Sequence, residues 1–335
     1  SPDGGGIRGL SSLIILKHLM EHINPGNPLK PCDYFQLIGG TSTGGLIALM
    51  LSRLRMGVDE CIEKYIQLSS EAFRLKRSKM DILSRGRDMW KADGKYRSDR
   101  LADEFREGAR LAERDADTHL FKPDAGCRVL APSSLVALGT PIRMRQHQSP
   151  QPAAAEIRIW EAARATSAAS TLFDPIKVGM QEYVDGATGM NNPVEVVLAE
   201  AKAIWFDSRE RIQCLVSIGT GVPALKNFGD NLLEIKNALK SLSTETERTE
   251  GKFHRNHADL GIGGRYFHFN VDNGLTDVGL DEHEKKHEIV AAAELYLGRA
   301  HVRDLVADFV KAKAPDNGNV MQPMPLPPCY TLPNR

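Results

Sequence analysis

Seven residues, Gly39-Gly40-Thr41-Ser42-Thr43-Gly44-Gly45, separate an apolar stretch, Tyr34 to Ile38, from a second one, Leu46 to Leu54. The first is short and reads as a buried strand; the second is largely apolar and reads as a helix. The glycines let the backbone reverse sharply between them, because glycine reaches positive φ without a Cβ clash. Strand, tight turn and helix in that order require a sheet with a helix laid back on it. Gly40-Thr41-Ser42-Thr43-Gly44 also matches G-x-S-x-G. In this context the pattern is a nucleophile elbow, which exposes the serine hydroxyl at the strand end and aims the next N–H at a developing oxyanion. Ser42 is thus a candidate nucleophile and Thr43 a candidate oxyanion donor. Taken alone, the pentapeptide is equally a Gly/Ser turn.

A second glycine cluster, Asp3-Gly4-Gly5-Gly6-Ile7-Arg8-Gly9, runs directly into residues 10–23, whose apolar positions have helical spacing. Amide groups at a helix start form an anion site. Gly4, Gly6 and Gly9 fit G-x-G-x-x-G, so a dinucleotide loop is one reading. An oxyanion hole from the amides of Gly4, Gly5 and Gly6 is another, and a plain tight turn is the third. A dinucleotide fold has no use for the Ser42 elbow. Such a loop normally follows a strand, and only Ser1 and Pro2 precede it, so the first strand is expected to be cut short.

Helices are expected over 58–75, 99–113, 157–169, 193–206 and 281–313. Strands are expected over 127–138, interrupted at Pro132, and at Tyr183–Asp185, Cys214–Ile218 and Tyr266–Val271. Residues 146–155 read as a loop. This alternation implies an α/β fold, a three-layer sandwich with a mostly parallel central sheet covered by helices. With 335 residues, 41% hydrophobic and 26% charged, the chain can bury a large core. One domain over residues 1–313 is expected. The tail 314–335 is proline-rich and reads as a linker to further domains.

Formal net charge is zero, which gives no bulk attraction to nucleic acid. Residues 74–100 carry ten Lys or Arg against four Asp. That stretch, with Trp90 and Tyr96, reads as an exposed basic face or a contact for an anionic membrane. A Leu232–Ile235–Leu239–Leu242 stripe reads as core or as a lipid-facing helix. No apolar run is long enough to span a bilayer. The five cysteines are odd in number and contain no C-x-x-C pair, so a reducing interior fits best. The expected location is the cytoplasm, with peripheral membrane contact.

A serine nucleophile needs a base. None of the ten histidines has a catalytic setting. Asp185-Gly186-Ala187 ends a strand, and although Asp-Gly marks many ordinary turns, its order after the elbow makes Asp185 the candidate base of a Ser–Asp dyad. A carboxylate with pKa near 4 is a weak base, so Asp185 must gain from close contact and poor solvation. His283-Glu284-Lys285-Lys286-His287 matches H-E-x-x-H, but lysines fill the variable positions and no third ligand stands out. No metal and no cofactor are expected.

Together these residues resemble the patatin-like phospholipase family. It carries an Asp-Gly-Gly-Gly-x-Arg/Lys-Gly loop, a G-x-S-x-G elbow and an Asp-Gly-Ala/Gly motif in this order. Asp33-Tyr34-Phe35 through Gly45 is similar to plant patatin almost residue for residue. Trp160 to Ala169, Asn191-Asn192-Pro193 and Ser217 to Gly221 also resemble family landmarks, whereas Ser170 departs from a proline frequent in relatives. The likeness continues loosely to about residue 300 in the style of fungal intracellular members, which are often effector domains of larger proteins. The resemblance implies a metal-independent lipid acyl hydrolase acting on membrane phospholipids or other lipid esters, with Ser42 and Asp185 catalytic and Gly4, Gly5, Gly6 and Thr43 as oxyanion hole. Arg8 orients the loop or meets a phosphate, or is a surface arginine at a helix start.

Overall fold

A computed structural model describes residues 1–72, 96, 98–111, 126–135, 140–145, 157–169, 172–186, 190–205, 212–221, 246–262, 264–275 and 277–312. The basic stretch at 74–95, the loop 146–155, Ser170, Ala187, the 232–242 stripe and the tail 314–335 lie outside them.

The glycine loop leads into α1 (Gly9–Ile23), with Leu10, Leu13, Leu16, Leu19 and Met20 buried. Pro31 opens a short α2 (Pro31–Tyr34), its fixed φ suiting a first helical position. Tyr34 therefore ends a helix, and β1 (Leu37–Gly39) is shorter than the strand expected from Tyr34. The elbow follows, then α3 (Thr43–Ser52), in which every residue from Gly44 to Ser52 is buried. A helix apolar all round belongs inside. In α4 (Val58–Ala72), Val58, Cys61, Tyr65, Leu68 and Ala72 form the buried stripe; α5 (Ser98–Leu111) packs beside it.

Next come β2 (Arg128–Leu135) and β3 (Thr140–Arg145), then α6 (Ile159–Thr166), started by the Glu161 carboxylate accepting the Arg158 N–H at 2.7 Å. β4 (Ile176–Val178), β5 (Gln181–Asp185), α7 (Val194–Ile204), β6 (Leu215–Ile218), helical residues 246–256, α8 (Ala258–Ile262), β7 (Tyr266–Phe269), α9 (Lys286–Leu297) and α10 (Ala300–Ala312) complete the described chain.

The main sheet corrects the expectation of a mostly parallel one. β1 pairs with β2 in parallel, but β2–β3, β2–β5 and β4–β5 are antiparallel. The reason is connection length. Gly179, at φ 58°, and Met180 alone join β4 to β5, and a two-residue link makes a hairpin, whereas a parallel neighbour needs a long crossover. β6 and β7 form a separate parallel pair, with Pro2 bridging to Ile218 in parallel. The residues before the glycine loop thus run beside β6. β2 also passes through Pro132 without interruption, opposite Arg143 of β3.

The register explains how the site is assembled. Gly39 of β1 lies opposite Leu130, and Asp185 of β5 lies opposite Ser133. β3 pairs along residues 130–135 of β2. A strand has two edges, so β1 and β5 share the other one. They run toward each other along it, and their C-terminal ends stop roughly 10 Å apart at about 3.3 Å per residue.

Candidate active site

The gap between the two strand ends is closed by the end of α6. Thr166 Oγ1 donates to the Pro132 carbonyl at 3.0 Å and accepts the Ser42 N–H at 3.0 Å. The Ala168 carbonyl accepts the Asp185 N–H at 2.9 Å. Ser133 Oγ donates to the Val184 carbonyl at 2.8 Å. One short segment thereby fixes both backbones. The small residues at 162, 163, 165 and 168, all fully buried, let it come this close to the sheet.

Ser42 sits at φ 56°, ψ −125°, a conformation that costs a non-glycine residue of order 1–3 kcal/mol and is held by its surroundings. Its carbonyl accepts the Leu46 N–H at 3.1 Å, the first turn of α3. A Cβ on Gly40 would lie 2.1 Å from the Gly44 carbonyl oxygen, backbone that cannot yield. Gly40→Ala is therefore expected to lower the melting temperature by several degrees, at about 1–3 kcal/mol or more for such overpacking, and to remove activity with it. A thermal melt showing an unchanged transition would refute this account of the elbow.

Ser42 and Asp185 border one cavity of about 600 Å³ including its open mouth. Asp185 is 6% exposed. Gly5, Gly6 and Thr43 line the same cavity, and Leu46, Leu68, Leu101, Leu172, Phe173 and Leu280 supply its apolar walls. No histidine among the described residues borders it. His257 faces Glu195, His268 faces Glu250, and His18 stacks on His22. His283 lies in a 3-10 turn (His283–Lys285) that gives way to α9 at Lys286, so the HEKKH histidines do not share a continuous α-helical face. Among the described residues no group of three or more His, Cys, Asp or Glu could hold a metal.

The glycine loop is tied down from several sides. Gly6 has φ 56°, and a Cβ there would lie 2.1 Å from the Leu280 carbonyl oxygen. The Tyr65 hydroxyl donates to the Gly6 carbonyl. The Gly5 N–H donates to Thr43 Oγ1 at 3.2 Å, joining loop to elbow. Gly4 stands apart: its N–H donates to the Asn191 carbonyl at 3.1 Å, and it is absent from the walls of the Ser42 cavity. Arg8 is no surface residue. It is 4% exposed and borders a different, smaller pocket.

Motif reading did not find Thr166, Tyr65 or the loop-holding part of Asn191. Thr166 ends an alanine-rich helix without any local pattern, and only its two hydrogen bonds disclose what it does.

A strained serine at a strand-to-helix turn and a buried carboxyl at an opposing strand end thus border one apolar cavity. The family model for patatin-like phospholipase matches residues 2–198. The chain belongs to the patatin-like phospholipase family. It is 28% identical over 300 residues to phospholipase A I of Arabidopsis thaliana, covering 74% of this chain and 22% of that one. It is 32% identical over 231 residues to rabbit (Oryctolagus cuniculus) calcium-independent phospholipase A2-gamma, covering 65% and 27%. Identity to the cGAMP-activated phospholipase of Vibrio cholerae is 31% over 221 residues, covering 60% and 56%. The chain thus spans about a quarter of the length of the first two relatives. Among the described residues no helix is long and apolar enough to cross a membrane.

Proposed function

We propose that this chain is a lipid acyl hydrolase that cleaves carboxylic esters of glycerophospholipids through a Ser42–Asp185 dyad and an acyl-enzyme. The observation that carries the reading is the convergence of strained Ser42 and buried Asp185 on one apolar cavity. The names of the relatives, phospholipases A among them, support phospholipid as the substrate class.

Asp185 accepts the Ser42 hydroxyl proton as Oγ attacks the ester carbonyl. The amides of Gly6 and Thr43 face the oxygen that becomes negative, and the Gly5 amide joins them once its N–H turns from Thr43 Oγ1; losing one such donor costs about 3 kcal/mol. Gly4 serves by holding the loop. As the intermediate collapses, Asp185 returns the proton to the departing alcohol oxygen. Water then attacks the acyl-enzyme, Asp185 takes its proton, and the fatty acid leaves as Ser42 is restored. The apolar walls favour a long acyl chain, at about 0.8 kcal/mol per buried methylene. Incubation with defined phospholipids should yield lysophospholipid and free fatty acid in equal amounts by mass spectrometry; release of a phosphorylated headgroup instead would refute the reading.

The mechanism uses no metal. Hydrolysis is expected to stay within about twofold of its starting rate in EDTA, since no step above calls on Lewis-acid help. Strong inhibition reversed by added calcium or zinc would overturn that expectation.

A second reading treats the chain as the effector module of a longer protein whose activity is gated by other domains. The small share of the relatives' length that it matches favours this arrangement. Turnover by the isolated chain, compared with the full-length protein, separates the two.

A further inference from the structure

Tyr65, in the middle of α4, is fully buried and borders the Ser42 cavity, yet no step of the proposed mechanism uses it. Burying a hydroxyl is costly unless it is hydrogen-bonded, so the partners of this one tell what it does. It donates to the Gly6 carbonyl of the glycine loop. The hydroxyls of Thr43, in the elbow, and of Ser69, one turn along α4, donate to it in return. Burial pushes its pKa up, so it stays a neutral donor and is no base at neutral pH.

The loop it grips needs holding. Gly6 stands at φ 56°, a region that glycine enters and leaves with equal ease. The peptides on either side are fixed by their neighbours: the Gly5 carbonyl accepts the Arg8 N–H at 3.2 Å, and the Ile7 N–H donates to the Leu280 carbonyl at 2.8 Å. Tyr65 supplies the bond to the Gly6 carbonyl between them.

Gly9 makes room for it. This residue begins α1 with a helical φ of −55°, where alanine would serve the helix better. A Cβ there would lie 2.5 Å from the Tyr65 hydroxyl oxygen and 3.1 Å from the ring carbon that bears it. What calls for glycine at this position is the tyrosine, not the backbone.

We propose that Tyr65 is a positioning residue of the oxyanion hole: its hydroxyl fastens the Gly6 peptide to the Thr43 elbow, and Gly9 is glycine to admit it. The Gly6 and Thr43 amides belong to segments far apart in sequence, and one hydroxyl bonded to both segments fixes the spacing of the two donors. Misplacing a catalytic group by about 1 Å costs about 10²-fold in rate. The neutral ester of the ground state gains little from these donors and the oxyanion much, so the effect falls on kcat and spares KM. This role rests on the acyl-transfer reading of Ser42.

The test is Tyr65→Phe in the whole chain, with kcat and KM measured on a defined phosphatidylcholine and the rate of fluorophosphonate labelling of Ser42 measured separately. Phosphonylation builds negative charge on an oxygen held in the same hole, so labelling reads the donors whichever ester the enzyme prefers. The variant should lose about 10–100-fold in kcat with KM within about twofold, and label more slowly by a similar factor. Gly9→Ala, which pushes the hydroxyl from its place, should slow labelling comparably and serves if Tyr65→Phe does not fold. Added to Tyr65→Phe it should cost little more, because the hydroxyl it displaces is already gone. Unchanged kcat and labelling in a folded Tyr65→Phe, a loss confined to KM, or an equal slowing by Gly9→Ala with and without the hydroxyl would each overturn the proposal. The two failures differ: a wild type that labels but cleaves no phospholipid sinks the substrate reading, and the labelling rates still decide for or against Tyr65.

Discussion

Ser42→Ala is expected to abolish ester hydrolysis and all labelling by a fluorophosphonate probe, while the protein melts as the wild type does. Loss of the nucleophile in a serine hydrolase costs on the order of 10⁶ in kcat, because oxyanion stabilisation and binding alone cannot replace the covalent step. The fold should not suffer. The structural bonds at this position belong to the backbone: the N–H donates to Thr166 Oγ1, and the carbonyl accepts from Leu46. Alanine preserves both and keeps the strained φ. Serine probes label any activated serine, so gel fluorescence of the labelled variant is the direct measurement. Labelling that survives the substitution would remove Ser42 from the mechanism, whatever the turnover.

Asp185→Asn is expected to lower kcat by about 10²–10⁴, the usual loss when a general base is removed, with little change in the melting temperature. Asparagine keeps the shape of the side chain and cannot accept the proton. Two of the contacts that hold Asp185, with the Ala168 carbonyl and with Ser133 of β2, are made by its backbone, and neither depends on the carboxylate. Each histidine changed in turn to alanine should cost far less, since none of those described borders the cavity. Near wild-type turnover in Asp185→Asn would end the dyad account. So would a histidine variant as inactive as Ser42→Ala that still folds, because a triad would then be required.

The sequence by itself determined the local geometry of this protein. Gly40 and Gly44 mark a turn that only glycine can make, so the elbow and its serine were legible as a motif. The apolar stripes of α1 and α4 were legible because helical spacing is written into the chain. Ends of elements were less so. The expected strand from Tyr34 loses its first residues to α2, since Pro31 starts a helix that hydrophobicity alone does not reveal.

Tertiary structure decided the remainder, because pairing direction and burial depend on residues far apart in sequence. The hairpin through Gly179 and Met180 makes β5 run against β2, and that reversal brings the end of β5 toward the end of β1. A wholly parallel sheet would have left Asp185 pointing the same way along the sheet as the elbow instead of toward it. Thr166 acquires its part only where α6 fills the gap between those strand ends. Gly4 and Arg8 belong to a loop whose motif shows that it is special. Which of its residues border the Ser42 cavity, and that Arg8 is buried, was set by Asn191, Thr220 and Leu280 closing on it from distant parts of the chain.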